Sequence, residues 1–213
     1  LQRWVYADSV NTKEYASNGI DYTETIDAFF YDNPSHALLS RKTRLDSKTG
    51  RNVTHFLYPG DYASGEVFIN DMITAKLIGY PIENVSSVEL GSNKSVISGT
   101  LTKYKTGGKG LVDSEFKLNT SNPVPLTSFR YSNRPLGIAP PNGTATAFSA
   151  DSRYEKEYQI FSYDINGRPR ELKKLEEPNI VYLWGYNGIY PVMEIKNSTY
   201  EEVKTVLTQA VID

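Results

Sequence analysis

The sequence predicts a mainly β fold, made of antiparallel β-hairpin repeats with one inserted helix and one C-terminal amphipathic helix. Two Asn-Gly pairs, Asn166-Gly167 and Asn187-Gly188, are the first sign, because Asn-Gly accepts positive φ at low cost and suits a tight hairpin turn. Runs rich in β-branched and aromatic residues flank both pairs, at 158–163, 180–186 and 189–195. The chain also has 16 tyrosines among 213 residues, which fits strands that are half buried. We therefore predict three or four antiparallel strands joined by two hairpins in this part of the chain.

The N-terminal half has the same alternation between strand-like runs and turn residues. In the run 51–58, Val53, His55 and Leu57 fall on one face of a strand and the intervening residues fall on the other. Further strands are predicted at 4–6, 23–31, 37–45, 81–90, 95–104 and 111–118. Turn-forming residues at 17–19, 31–34 and 46–50 separate the first of these strands.

At 64–78 the alternation typical of a strand stops and apolar residues recur at helical spacing, which predicts the inserted helix. Ser64 is a suitable N-cap, and Gly79 and Pro81 end the pattern. The apolar residues at helical spacing are Phe68, Ile69, Met72, Ile73 and Leu77.

The segment 198–212 predicts the C-terminal helix. Ser198 and Glu201 have the spacing of a capping box. One apolar stripe follows at helical spacing, formed by Val203, Val206, Leu207, Ala210 and Val211. The stripe needs a partner, which is either the sheet of this domain or a neighbouring part of a longer chain.

Residues 119–150 are the least regular part of the sequence, because five prolines leave little room for a hydrogen-bonded ladder. We expect a long surface connection here, with a binding loop as the alternative, since loops of this length are uncommon. The chain is predicted to form a single domain, 1–213. The alternative is a division into 1–118 and 151–213, joined by 119–150.

Composition excludes several classes of function. The net charge of −2 and the lack of a lysine-arginine run give no reason to expect nucleic acid or an anionic membrane as partner. The absence of cysteine excludes disulfides, thiolate nucleophiles and cysteine-ligated metals. No apolar run approaches the roughly 20 residues of a transmembrane helix. The chain begins at Leu1 without a signal-peptide pattern, so we expect a processed chain or a piece of a longer one.

Three aromatic residues, Tyr182, Trp184 and Tyr186, are the candidate binding residues. They alternate along one predicted strand, so their rings could share a face and stack against sugars. The competing interpretation, which we favour, is that they pack against the neighbouring hairpin, because aromatic side chains dominate cross-strand packing.

The remaining candidates for chemistry are weak, and we expect no catalytic residue, no metal and no cofactor. The two histidines, His36 and His55, have no visible acid–base partners and are interpreted as ordinary sheet positions. The segment 164–167 begins like a calcium loop, but Leu175 stands where the bidentate glutamate is needed. Glu155 and Glu157 would lie about 7 Å apart on one strand face, yet such a pair is commonly just solvated.

Tyrosine-marked turns recur along the chain, and their motifs resemble a known family. Tyr-Asp-x-x-Gly-Arg occurs at 163–168, the string YLWGYNGIYPVMEIKNSTYEEV occupies 182–203, and fainter matches are YPGDYASG at 58–65 and GYPIE at 79–83. These motifs are similar to the YD-repeat (RHS-repeat) family of bacterial surface and secreted proteins, closest to C-terminal core segments from Bacteroides-type bacteria. The Asp-Pro-x-Gly signature of the toxin-enclosing members is absent.

The resemblance implies hairpin arrays that spiral into sheets or shells, which are adhesive in some members and enclose a toxin in others. Two or three degenerate copies cannot close a cage. The resemblance therefore implies a non-enzymatic structural or interaction module, a fragment of a larger cell-surface or secreted, outer-membrane-associated protein. Its partners would be the rest of its own longer polypeptide or other surface proteins. A carbohydrate- or peptide-binding module that uses exposed aromatics is the alternative, with glycans as partners, and a glycoside hydrolase comes last.

Overall fold

In a computed structural model that describes residues 6–46, 50–63 and 65–207, the chain folds as one antiparallel sheet with two α-helices. The mainly β fold with an inserted and a C-terminal helix is thus confirmed. The strands are β1 (Ser9–Tyr15), β2 (Tyr22–Phe30), β3 (Arg41–Asp46), β4 (Gly50–Leu57), β5 (Glu83–Leu90), β6 (Asn93–Tyr104), β7 (Val112–Leu118), β8 (Val124–Pro125), β9 (Tyr154–Tyr163), β10 (Pro169–Lys174), β11 (Ile180–Gly185) and β12 (Tyr190–Lys196). The helices are α1 (Val67–Thr74), between β4 and β5, and α2 (Tyr200–Val206).

The sheet is a meander in which almost every strand pairs with the next strand of the sequence. The order runs from β1 to β7, continues with β9 and ends at β12, while the two-residue β8 pairs with β6. Strand β7 pairs directly with β9, so the ladder continues across the proline-rich segment 119–150. The single domain 1–213 and its alternative, a division at this segment, both stay predictions.

The main core lies on one face of the central strands, and residues of 119–150 help to cover it. Phe129 and Tyr131 are both 0% exposed, and their rings meet edge to face with centroids 5.2 Å apart. The prediction of a surface connection is wrong for this part, because two large aromatic side chains anchor the segment in the core. Val53, His55 and Leu57 of β4 are buried together, as their alternation predicts.

Helix α1 is shorter than the predicted 64–78. Phe68, Ile69 and Met72 are buried in the main core, as their spacing predicts. The helix ends at Thr74, and Lys76 has φ 62°, a left-handed conformation that cannot continue a helix. The proposed N-cap, Ser64, lies outside the described residues.

Helix α2 packs on the C-terminal strands as a second, smaller core. The capping box is formed by Thr199 and Glu202, one residue later than the predicted Ser198 and Glu201. Val203 is buried with Val181, Leu183 and Tyr200, which together with the partly buried Leu207 form this core. Val206 is 82% exposed, so the predicted apolar stripe is wrong at this position. Ala210 and Val211 lie outside the described residues.

The two ends of the sheet are open within the described part of the chain. Of the strands that the structure describes, β1 pairs only with β2, and all seven of its residues are exposed. Among the described residues, strand β12 pairs only with β11, and it exposes Tyr190, Val192 and Met193. The predicted strand 4–6 falls mostly on residues outside the described range.

Candidate functional site

The three predicted aromatic residues occupy different environments. Tyr182 and Trp184 belong to β11 and are half buried, whereas Tyr186 lies beyond the strand and is 74% exposed. Tyr186 has φ 52°, and its ring meets that of Tyr190 edge to face at 6.3 Å. The turn after β11 removes Tyr186 from the strand, so the three rings do not share one strand face.

The first C-terminal hairpin turn is built around the Asp164 carboxylate. Its Oδ1 accepts hydrogen bonds from the backbone N–H groups of Asn166 and Arg168, at 2.8 and 2.9 Å. Its Oδ2 accepts from the Arg168 guanidinium, while Gly167 takes the positive φ of the turn at 80°. Burial raises the pKa of Asp164, but the donors from Arg168 and Asn166 outweigh burial and hold that pKa below its usual value. The carboxylate of Asp164 therefore stabilises the turn through these hydrogen bonds.

The second turn is tighter and begins one residue earlier than its Asn-Gly pair. Tyr186 and Asn187 both have positive φ, at 52° and 56°, and the N–H of Gly188 donates to the carbonyl of Gly185 at 2.8 Å. Gly188 also has positive φ, at 77°, so three consecutive left-handed residues lie in the four-residue connection between the paired Gly185 and Tyr190. A Cβ at Gly188 would displace the Arg168 guanidinium, and the φ of 77° also favours glycine at this position.

Arg168 joins the two turns. The Arg168 guanidinium donates to Asp164 in its own turn. It also donates to the carbonyl of Asn187 in the second turn, at 3.3 Å. It also lies 5.7 Å from the ring of Trp184, within reach of a cation–π contact. The indole N–H of Trp184 donates to the carbonyl of Pro169 at 2.8 Å, so Trp184 contributes to the packing between hairpins.

Between the two turns lies a cavity of about 290 Å³, which we call the turn cavity. Its lining includes two arginines, two asparagines, one acid and three aromatic residues, together with parts of the turn backbones. The charged residues are Asp164, Arg168 and Arg170, the amides are Asn166 and Asn187, and the aromatic residues are Tyr182, Trp184 and Tyr200. The sequence pointed to Tyr182 and Trp184 through their alternation, but it missed Arg170, which no motif singled out.

Arg170 lies against the ring of Tyr200, the aromatic residue of the second core. Its guanidinium carbon is 4.8 Å from the centroid of Tyr200, and the side chain is half buried. The neighbouring Glu171 carboxylate instead accepts the backbone N–H of Tyr200 at 3.0 Å and the side-chain amide of Asn179 at 3.2 Å. Among the described residues, no acidic side chain is within salt-bridge distance of Arg170.

A second polar cluster is buried in the main core, around Glu83. Ser132 donates to Glu83 Oε2 through its N–H and its hydroxyl, at 2.8 and 2.7 Å, and the Tyr154 hydroxyl donates to Oε1 at 2.8 Å. The Tyr62 hydroxyl lies 2.7 Å from Ser132 Oγ. Burial raises the pKa of Glu83 to about 7, against the hydrogen bonds that favour its charged form. The sequence missed this cluster, because its members are up to 92 positions apart (62 to 154).

The two histidines are both hydrogen-bonded within the fold. His55 lies in β4, as expected, with its Nδ1 3.1 Å from the Tyr131 hydroxyl, and burial lowers its pKa to about 4. His36 lies in the loop between β2 and β3 rather than in the sheet. Its Nδ1 accepts the N–H of Leu38 at 3.0 Å, which leaves Nε2 to donate to Asp61 at 3.1 Å.

The acidic pair weighed for glycoside hydrolysis forms ordinary surface contacts. Glu155 accepts a hydrogen bond from Asn119 at 2.7 Å, and Glu157 forms an exposed salt bridge with Lys117 at 2.9 Å. Within 6–46, 50–63 and 65–207, no three acidic or histidine side chains converge as a metal site would require. In the same residues, no helix has the length and apolar character to cross a bilayer.

Comparisons with known proteins leave the family open. No protein-family model, no curated protein and no solved structure matches this chain.

Proposed function

We propose that the chain is a non-enzymatic structural module of a larger bacterial cell-surface or secreted protein of the YD-repeat type. In this proposal its sheet continues into further strands of the longer polypeptide or of a neighbouring surface protein. The observation that carries it is the edge at β12, where a seven-residue strand is hydrogen-bonded on one side only within the described part of the chain. Such an edge is a template for another strand.

The register at β12 supports the pairing of a further strand. The N–H of Asn197 donates to the carbonyl of Asn179 at 2.7 Å, so the alternation of an antiparallel ladder turns the N–H and C=O groups of Lys196 and Glu194 away from β11. The exposed side chains of Tyr190, Val192 and Met193 add apolar surface along the same strand. A strand added at this edge would satisfy the outward groups and cover part of that surface.

A second copy of the chain can supply the added strand in a purified sample. If two β12 strands pair antiparallel about Ile195, Glu194 of each copy faces Lys196 of the other, so the charges are complementary. This arrangement makes the proposal testable without the longer polypeptide.

The test is the self-association of three proteins by sedimentation velocity over a wide concentration range. Glu194→Pro removes one outward N–H, while the matched control Glu194→Ala removes the same side chain and keeps that N–H. We expect the wild type and Glu194→Ala to dimerise as concentration rises, and Glu194→Pro to dimerise more weakly. A wild type that stays monomeric throughout, or equal dimerisation of both variants, would contradict the proposal.

A carbohydrate-binding module is the second candidate, and the turn cavity favours it. Tyr182 and Trp184 line this cavity beside polar amides and arginines, a combination that suits a sugar with one apolar face and several hydroxyls. The exposed Tyr186 is not part of the lining. Titration of the chain with neutral and acidic oligosaccharides tests this candidate, and binding of neither would remove it.

A further inference from the structure

The turn cavity carries a positive charge that the fold does not neutralise. Of its three charged side chains, Asp164 and Arg168 form a salt bridge with each other, and the carboxylate is only 5% exposed. Arg170 has neither a hydrogen bond nor an ion pair with any described side chain. The cavity therefore holds one surplus guanidinium beside two neutral amides.

Arg170 is held in place although no acidic side chain in the described part of the chain pairs with it. The Tyr200 ring lies 4.8 Å from its guanidinium carbon, and Tyr200 is fixed by the second core and by its N–H bond to Glu171. A guanidinium on an aromatic face keeps its hydrogen-bond donors available at its edge. Arg170 is thus a preorganised donor for a planar anion such as a carboxylate.

The rest of the cavity fits a sugar ring. Its volume of about 290 Å³ is near the lower end of the range for small-molecule sites, roughly 300–1,000 Å³, and suits a single sugar residue. Asn166 and Asn187 offer amide donors and acceptors for hydroxyl groups, while Tyr182 and Trp184 offer aromatic surface.

We propose that the turn cavity binds a carboxylate-bearing sugar, that is, one uronic-acid residue of an acidic polysaccharide, with Arg170 taking the carboxylate. The proposal rests on the second candidate function, carbohydrate binding, and names its ligand class. It is independent of strand pairing at β12, because Arg170 belongs to β10.

The test is a calorimetric titration of the 213-residue chain with three oligosaccharides of equal length: oligogalacturonate, its neutral galactose counterpart and a sulfated counterpart. Arg170→Gln removes the charge in the cavity, and Arg51→Gln removes one exposed arginine on β4 as the matched control. Arg170→Lys keeps the charge without the two-pronged geometry. Thermal melting of each variant confirms that it is folded.

We expect the wild type to bind oligogalacturonate in preference to the other two sugars, and more weakly as salt is raised. Arg170→Gln should lose about tenfold or more in affinity, Arg170→Lys should be intermediate, and Arg51→Gln should match the wild type. Equal losses in Arg170→Gln and Arg51→Gln, or a preference for the sulfated sugar, would overturn the proposal.

Two further outcomes separate this proposal from the function on which it rests. Equal binding of neutral and acidic sugars, unchanged by Arg170→Gln, would overturn the uronic-acid assignment and leave carbohydrate binding standing. Binding of none of the three sugars would overturn both.

Discussion

The Asp164 carboxylate and the Arg168 guanidinium form a salt bridge inside the first C-terminal hairpin turn, and from there Arg168 reaches the carbonyl of Asn187 in the second turn. One pair of side chains therefore closes one turn and links it to the next. This gives a physical role to the Tyr-Asp-x-x-Gly-Arg motif at 163–168, because the acid shapes its own hairpin and the arginine joins it to a neighbour.

The link between the two turns can be measured by a double-mutant cycle on Asp164→Ala and Arg168→Ala. Each single variant should lower the free energy of unfolding by about 2 kcal/mol, because each leaves a partly buried charged partner without its hydrogen bonds. The double variant should lose clearly less than the sum of the two. Urea denaturation provides the measurement, and additive losses would show that the pair is not coupled.

Gly188→Ala should weaken the contact between Arg168 and the second hairpin turn, because Gly188 lies in that turn. A Cβ at this position would occupy the space of the Arg168 guanidinium, and φ 77° is unfavourable for alanine. We expect a loss of about 1–2 kcal/mol in the free energy of unfolding. In an Arg168→Ala background the loss should shrink to the backbone contribution alone, and an equal loss in both backgrounds would argue against the contact.

Glu83 should make the protein less stable as pH rises. Its pKa is about 7 in the folded state against 4.5 for the free side chain, so the folded state binds more protons between these values. The contribution of Glu83 therefore falls as pH rises from about 4.5 to about 7, by about 3 kcal/mol at most. Because His55 acts in the opposite direction over nearly the same range, the wild-type stability should change little with pH, and Glu83→Gln should make it rise from about pH 4.5 to about pH 7 in urea denaturation. A variant profile parallel to that of the wild type would contradict the assignment.

His55 should act in the opposite direction. Its pKa is about 4 in the folded state against 6.5 for the free side chain, so the unfolded state binds more protons between these values. Its contribution is complete above about pH 6.5 and is lost as pH falls towards 4. In the wild type this trend offsets that of Glu83, and His55→Gln should leave only the decline with rising pH. If the free energy of unfolding of His55→Gln depended on pH as little as that of the wild type, His55 would not be offsetting Glu83.

The second core predicts that two valines of α2 differ sharply. Val203→Asp places a charge in the core formed with Val181, Leu183 and Tyr200, and should cost about 3 kcal/mol or more. Val206→Asp is the matched control, because Val206 is 82% exposed and should change the stability by less than about 0.5 kcal/mol. Equal melting temperatures for the two variants would show that α2 does not pack as described.

Much of the fold follows from local patterns in the sequence. The turn residues of the C-terminal hairpins, the alternation in β4 and the helical spacing in α1 are local, and each gave the correct type of element. The wrong predictions concern positions whose burial depends on contacts with residues distant in the sequence. Phe129 and Tyr131 anchor an otherwise irregular segment in the core, and the spacing of Val206 does not reveal which side of α2 meets the sheet.

The candidate site was only partly predictable for the same reason. Tyr182 and Trp184 follow from their alternation on one strand. The role of Arg168 depends on a second turn 19 positions away, and that of Arg170, in strand β10, depends on Tyr200 in helix α2. Such contacts are set by how the hairpins pack on one another, which no local pattern encodes.

Amide hydrogen exchange along β12, followed residue by residue in dilute and in concentrated protein, is the most direct test of the proposed strand pairing. The N–H groups of Glu194 and Lys196 face away from β11, whereas that of Ile195 faces it and serves as the internal control. Strand pairing at β12 predicts fast exchange at Glu194 and Lys196 in dilute protein, strong protection of both at high concentration, and protection of Ile195 at both concentrations. Unchanged fast exchange at Glu194 and Lys196 in concentrated protein would contradict it.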